Sequence, residues 1–439
     1  MRIFLIAITF LLSCIPILSE GFRYSFPLEA INLVIAFICS YQFYQSDERP
    51  FSLHKIFHLF FLFFFCIAPM IQFKNNTDFL KTTFKEEEYI LTSSYVLGIL
   101  VLYNIIYLLI STPKNTSTPQ TNENKGQRPS PIGTTGEITL IVLASSIFLY
   151  FLHYNGYNIY ALFFRGGEFI GNNEESGIFD LFLNNFLRPM TMILFLGASI
   201  RGVRHKPTLF LLGTFFILTA MPTSMARFAT AAMYIPVLLW FIPALRRKNV
   251  FVLTIMTGLL VVFPFLNTFR EYSSQTEVEF SLNFEQFEEL HFDAYSMFMR
   301  VLTGDYVTYG RQLLGVILFW VPRSFWPAKP IGSGAFIAEQ QGLWFSNISM
   351  PYFGEGYINF GTIGVILFVF FLAFATAKID DRYWNYEIYQ NDKFRQIFYF
   401  LLLGLLMFIL RGDLLSSFAF TCGFLCSYFF VKYIAFKTA

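Results

Sequence analysis

Ile90-Leu-Thr-Ser-Ser-Tyr-Val-Leu-Gly-Ile-Leu-Val-Leu-Tyr-Asn-Ile-Ile-Tyr-Leu-Leu-Ile110 runs for 21 residues without one charged side chain. At 1.5 Å per residue such a helix covers the roughly 30 Å hydrocarbon core of a bilayer. Comparable runs recur from one end of the 439-residue chain to the other. Only 14% of the residues are charged, against roughly a quarter in an ordinary soluble domain, and 59 Phe exceed what a soluble core of this size hides. The mean hydropathy of +0.53 agrees. These features exclude a soluble enzyme and a single-anchor receptor. A β-barrel needs short alternating segments, and these runs are continuous. The fold class is therefore an all-α polytopic transmembrane protein.

Twelve spans are expected, at about 3–19, 28–44, 54–72, 90–110, 137–155, 181–200, 208–222, 228–245, 250–267, 356–377, 396–411 and 414–432. Lys and Arg set the orientation. Arg201, Arg204 and Lys206 fill one short loop, and Arg246, Arg247 and Lys248 another; Lys378, Arg382, Lys393 and Arg395 mark a third. With twelve spans these loops share a side with Arg2, Lys432 and Lys437. The positive-inside rule makes that side cytoplasmic, with both termini inside. The first span is expected to be uncleaved, although Leu11-Leu12-Ser13-Cys14 hints at a lipoprotein site.

The chain divides into spans one to nine (1–267), a large external loop (268–355) and spans ten to twelve (356–439). A polar cytoplasmic linker covers 111–136. The external loop carries Glu271, Glu277, Glu279, Glu285, Glu288, Glu289, Asp293 and Asp305 and is rich in aromatic residues, so it is expected to fold. Phe284, Phe287 and Leu290 predict an amphipathic helix. Leu313-Leu-Gly-Val-Ile-Leu-Phe-Trp-Val-Pro322 is apolar but too short to cross, which predicts a re-entrant or surface-lying helix. Cys14, Cys39, Cys66, Cys422 and Cys426 lie in apolar runs and imply no disulfide framework. His54 and His58 share a helix face but have no carboxylate nearby in the sequence, and read as interfacial anchors; no metal site is expected.

Arginine on the external side is the anomaly. Arg188 lies inside the sixth span. Arg227 closes Met221-Pro-Thr-Ser-Met-Ala-Arg227, and Arg270 closes Asn267-Thr-Phe-Arg270. Arg323 follows Pro322, and Arg411 begins Arg411-Gly412-Asp413. Snorkelling, or pairing with Asp413 and Glu355, accounts for any one of them. Five at one face, almost without Lys, point to bidentate recognition of a lipid-linked phosphate or pyrophosphate.

A second dense segment reads Pro322-Arg-Ser-Phe-Trp-Pro-Ala-Lys-Pro330, Gly332-Ser-Gly334 and Phe353-Gly-Glu-Gly-Tyr-Ile-Asn-Phe-Gly-Thr-Ile-Gly364. Trp326 and Tyr357 offer faces for sugars, and Lys329 adds a cation. Glu355 is a helix-start charge or a base. Gly361 and Gly364 suggest close helix packing. The Arg-Gly-Asp tripeptide joins two spans and is no adhesion motif.

These segments, with the late external loop and the twelve-span plan, resemble the Wzy-type O-antigen and capsule oligosaccharide repeat-unit polymerases. The resemblance implies a glycosyltransferase of the bacterial inner membrane facing the periplasm. Its donor and acceptor are both undecaprenyl-pyrophosphate-linked oligosaccharides. It also implies membrane lipid, a chain-length regulator and a flippase as partners, and neither cofactor nor nucleic acid. In that frame Glu355, Arg270 and Arg411 are the catalytic candidates. Arg188, Arg227, Arg323, Asp413, Trp326, Lys329 and Tyr357 are the substrate- and pyrophosphate-binding candidates. The rivals are an O-antigen ligase and a lipid-linked oligosaccharide flippase or other transporter. No internal repeat is visible, which counts against an inverted-repeat transporter.

Overall fold

The structure is a computed structural model that describes residues 2–45, 49–77, 80, 82–111, 131–164, 181–247, 249–262, 265–266, 284–386 and 391–436. The linker residues 112–130 and Arg270 lie outside these. The helices are α1 (Arg2–Leu18), α2 (Phe26–Gln45), α3 (Leu53–Lys74), α4 (Glu86–Ile110), α5 (Thr134–Tyr154), α6 (Arg188–Arg201), α7 (Lys206–Thr219), α8 (Arg227–Phe241) and α9 (Val250–Val262). Next come α10 (Ala294–Gly304), α11 (Arg311–Ile317), α12 (Ser333–Gln340), α13 (Tyr352–Asn385), α14 (Lys393–Arg411) and α15 (Leu414–Phe430). No strand occurs among the described residues.

Eight helices are long and apolar enough to cross a membrane: α2, α3, α4, α5, α7 with its following turn, α13, α14 and α15. The other four expected spans fall on shorter pieces. α1, α8 and α9 are short apolar helices. α6 has 14 residues and is entered through a π-turn at Leu183–Leu187.

Two apolar cores fill the bundle, and α14 serves both. Its Tyr399, Phe400, Leu403, Leu406 and Leu410 join the core built by α2, α3, α4 and α13. Its Ile397, Leu401, Leu405 and Phe408 join the core of α5, α6, α7, α8 and α15. Each set recurs at three- and four-residue spacing, so the two sets are separate faces of one helix. α8 lies close along α14, where Gly404 meets the Ala232 backbone with no room for a Cβ. α3 is buried along its whole length and carries a π-turn at Phe63–Ile67. Phe65 there packs on Tyr295, Phe298 and Phe353.

Three local expectations change. Residues 284–292 form two 3-10 turns, Phe284–Glu288 and Leu290–Phe292, rather than an amphipathic α-helix. The 284/287/290 spacing has a period of three, the period of the tighter helix. The segment docks on the end of α3: Gln72 donates to the carbonyls of Phe287 (2.7 Å) and Phe292 (3.1 Å), and Phe287 is buried. The apolar 313–322 stretch gives only the seven-residue α11, which packs on α13 and α15.

α13 is broken at Phe360 and at Gly361 (φ 62°, ψ −150°). A Cβ on Gly361 would meet nothing within 4 Å, so this glycine is needed for its backbone conformation and not for packing. Gly364 is the packing glycine: the break folds the chain back until a Cβ there would sit 1.9 Å from the Gly356 carbonyl oxygen. Glu355 therefore belongs to a short helical arm before the elbow.

His54 and His58 are buried, not interfacial. The carboxylate absent from their neighbourhood in sequence arrives from α13: Asp380 accepts from the backbone N–H groups of Leu53 (3.0 Å) and His54 (3.2 Å) and from the hydroxyls of Tyr107 (2.8 Å) and Tyr399 (2.5 Å). This buried carboxylate caps the start of α3. The cysteines are free. No group of three His, Cys, Asp or Glu among the described residues could hold a metal ion.

Candidate functional site

α8 begins where α14 ends, which brings Arg227 and Arg411 together. Both line one cavity of about 490 Å³, within the range of small-molecule sites. Its lining mixes apolar side chains, among them Phe64, Phe228, Leu259, Met407 and Phe408, with polar ones: the two arginines, His291, Asp293, Asp413, Ser346, Asn347 and Ser349.

Arg411 is fixed by the 290–293 turn. Its Nε donates to the His291 carbonyl at 2.8 Å, and its Nη2 meets Asp293 Oδ1 at 3.0 Å. As a cation at the last turn of α14 it also suits the helix dipole. Asp293 is buried and accepts from the Ser349 backbone N–H (3.1 Å) and hydroxyl (2.5 Å). Arg227 sits at the first turn of α8, where a cation opposes the dipole and adds to the positive potential of the free helix N–H groups. Its guanidinium donates to the His291 ring, which also approaches Glu289 Oε2 at 3.2 Å. Burial, helped by Arg227 and Arg411 and opposed by Glu289, holds the His291 ring below the ordinary imidazole range.

Asp413 caps α15 through the backbone N–H groups of Leu415 (3.0 Å) and Ser416 (3.4 Å). Its other oxygen accepts from Gly334 N–H at the start of α12 (3.0 Å). Gly332 lies against this carboxylate so closely that a Cβ would come within 2.6 Å. Burial pushes the Asp413 carboxyl above its usual range. Glu355 stands behind it, fully buried, bonded to Leu414 N–H (2.9 Å) and the Ser333 hydroxyl (2.7 Å). Neither carboxylate pairs with Arg411; Asp293 does, a residue 118 positions away.

The remaining candidates lie elsewhere. Arg188 is buried beside Asn184 (2.8 Å) and over the Phe151 ring (4.6 Å). Arg323 is exposed and donates to the carbonyls of Lys329 (2.7 Å) and Pro330 (3.2 Å). Lys329 donates in turn to Phe319 (2.6 Å) and Val321 (3.0 Å). These two cations knit the 319–330 turn, and burial and Arg323 draw the Lys329 pKa down. Trp326 and Tyr357 are half-buried, and neither they nor Glu355 line the cavity. His291, Asp293 and Ser349 escaped the sequence. A lone His and one acid among many carry no spacing signal toward an arginine on a distant helix.

No protein-family model, no curated protein and no solved structure matches the chain.

Proposed function

We propose that this protein is a membrane glycosyltransferase that joins undecaprenyl-pyrophosphate-linked oligosaccharide repeat units at the periplasmic face of a bacterial inner membrane. The observation that carries it is the pair Arg227 and Arg411 lining one cavity together with Phe64, Phe228, Met407 and Phe408. Guanidinium forks suit a pyrophosphate, and the apolar side chains suit the first units of a prenyl chain. In this reading twelve helices span the membrane, α1, α6, α8 and α9 being the short ones. α14 starts at Lys393 and Arg395 and ends at the cavity, and α8 starts at the cavity and ends just before the 3-10 turn Pro243–Arg246. The basic helix ends thus lie opposite the cavity, which supports a cytoplasmic assignment for them and an external one for loop 268–355. With impermeant thiol labelling of intact cells, in a chain freed of native cysteine, Glu339→Cys reacts and Gln120→Cys does not. The reverse pattern overturns the topology.

The reaction forms a bond from an acceptor hydroxyl oxygen to the donor's anomeric carbon. The carbon–oxygen bond to pyrophosphate breaks, and its electron pair leaves with the pyrophosphate. Arg227 and Arg411 hold the charge that develops there. The hydroxyl proton passes to His291 Nε2, whose lone pair is freed as Arg227 turns from it to the pyrophosphate. Asp293 positions Arg411. Glu355 is a positioning residue rather than the base, because it is fully buried and does not line the cavity, and its bonds to Leu414 and Ser333 hold the helix starts together. Arg270 remains a proposed third cation, and this reading assigns no step to Arg188, Arg323, Trp326, Lys329 and Tyr357, which do not line the cavity.

Deleting the gene and separating the surface polysaccharide on a gel tests the function. Single repeat units in place of a ladder support the polymerase. Complete loss of the polymer from its anchor indicates a ligase, and blocked export a flippase. The pH profile tests His291. Protonation removes the base, so the acid limb lies below the ordinary imidazole range and is absent from residual activity in His291→Asn. An unchanged limb in that variant removes His291 from the mechanism.

A further inference from the structure

We propose that Trp344, Ser346 and Asn347 form a sugar subsite at the cavity mouth that takes the ring bonded directly to the pyrophosphate. The proposal rests on the polymerase reading and names where its glycan is held.

The segment that carries these residues turns tightly at Asn347, where Ile348 N–H donates to the Ser346 carbonyl (2.9 Å), and is pinned at its far end. Ser349 is tied to Asp293 through its N–H and its hydroxyl. Ile348 is pressed onto α12, where a Cβ on Gly334 would lie 2.2 Å from the Ile348 carbonyl oxygen. The residues just before that anchor are therefore held at one place. Phe345, Ser346 and Asn347 line the same cavity as the two arginines. Trp344 is 68% exposed, and its ring lies 5.5 Å from that of Phe345.

The chemistry of this lip selects its occupant. It carries no cation, so it does not hold phosphate. An amide and a hydroxyl, both exposed, offer donors and acceptors that a prenyl chain cannot use. A pyranose ring has a face of C–H groups for an indole and a rim of hydroxyls for Asn and Ser. The sugar attached to the pyrophosphate is also the one group that must lie next to the arginines. Trp344 stands next to this lining without being part of it; the sequence pointed to Trp326 and Tyr357 for this role, but neither they nor their sequence neighbours line the cavity. The competing role for an exposed Trp in a membrane protein is a headgroup anchor.

The test uses purified full-length protein and two probes: inorganic pyrophosphate, and a lipid-free oligosaccharide of one repeat unit prepared from the parent cells' surface polysaccharide. Trp344→Ala and Asn347→Ala are each expected to weaken oligosaccharide binding about tenfold. They leave pyrophosphate affinity unchanged, and Trp344→Phe keeps most of the binding. Unchanged oligosaccharide affinity in Trp344→Ala and Asn347→Ala, or none in the wild type, overturns the subsite. A poorly extracted Trp344→Ala protein with normal sugar affinity makes this Trp an anchor and also overturns it. Failure of wild-type protein to bind pyrophosphate strikes instead at the polymerase reading, whatever the lip does.

Discussion

Arg411→Lys is expected to lower turnover about a hundredfold or more, with the protein expressed and folded normally. Removing one preorganised donor to developing charge costs rates of this order in other enzymes. Lys retains the charge, but a single ammonium cannot hold Asp293 and the His291 carbonyl while also presenting a second prong to the pyrophosphate. Donor affinity should fall less than turnover, because the added charge belongs to the transition state. Asp293→Asn is the control. It keeps the shape and weakens the ion pair without removing the guanidinium. Substantial activity in Asp293→Asn beside loss in Arg411→Lys places the arginine on the substrate. Equal losses make the pair a structural clasp, and full chain extension by Arg411→Ala removes Arg411 from the site.

Gly364→Ala is expected to give the largest loss of stability among single methyl additions on α13. Its Cβ would sit 1.9 Å from the Gly356 carbonyl oxygen, so the backbone of the elbow must open. Overpacking that moves backbone costs about 3 kcal/mol or more. Gly361→Ala strains a conformation reserved almost entirely for glycine and costs about 1–3 kcal/mol, with no clash. Opening the elbow also withdraws Glu355 from Leu414 and Ser333, so both variants lose activity along with thermal stability. A Gly364→Ala protein with an unchanged melting temperature would show that the elbow is not held this tightly.

The long apolar runs were legible because they depend only on local composition, and the ends of α4, α14 and α15 fall close to where charge and glycine place them. The arginine anomaly was legible too, since an Arg at the end of an apolar run and away from the basic loops stands out whatever the fold. Which arginines converge was not. Arg227 and Arg411 meet because α14 packs on α8 along its length, whereas Arg323 looks equivalent in sequence and bonds the carbonyls of its own turn. The elbow in α13 was hidden for a related reason. Glycines three apart in an apolar run read as a packing stripe, and only the backbone angle at Gly361 separates a bend from a contact.

α14 is also the nineteen residues on which the order of assembly turns. Its two faces complete two cores most of whose other members precede it in the chain. Until it inserts, the helices before it have a hydrophobic seam facing lipid or each other, and Arg227 lacks its counterpart across the cavity. The pairing of Arg227 with Arg411 thus exists only once α14 is in place. A chain cut before α14 holds an exposed seam that membrane quality control can recognise.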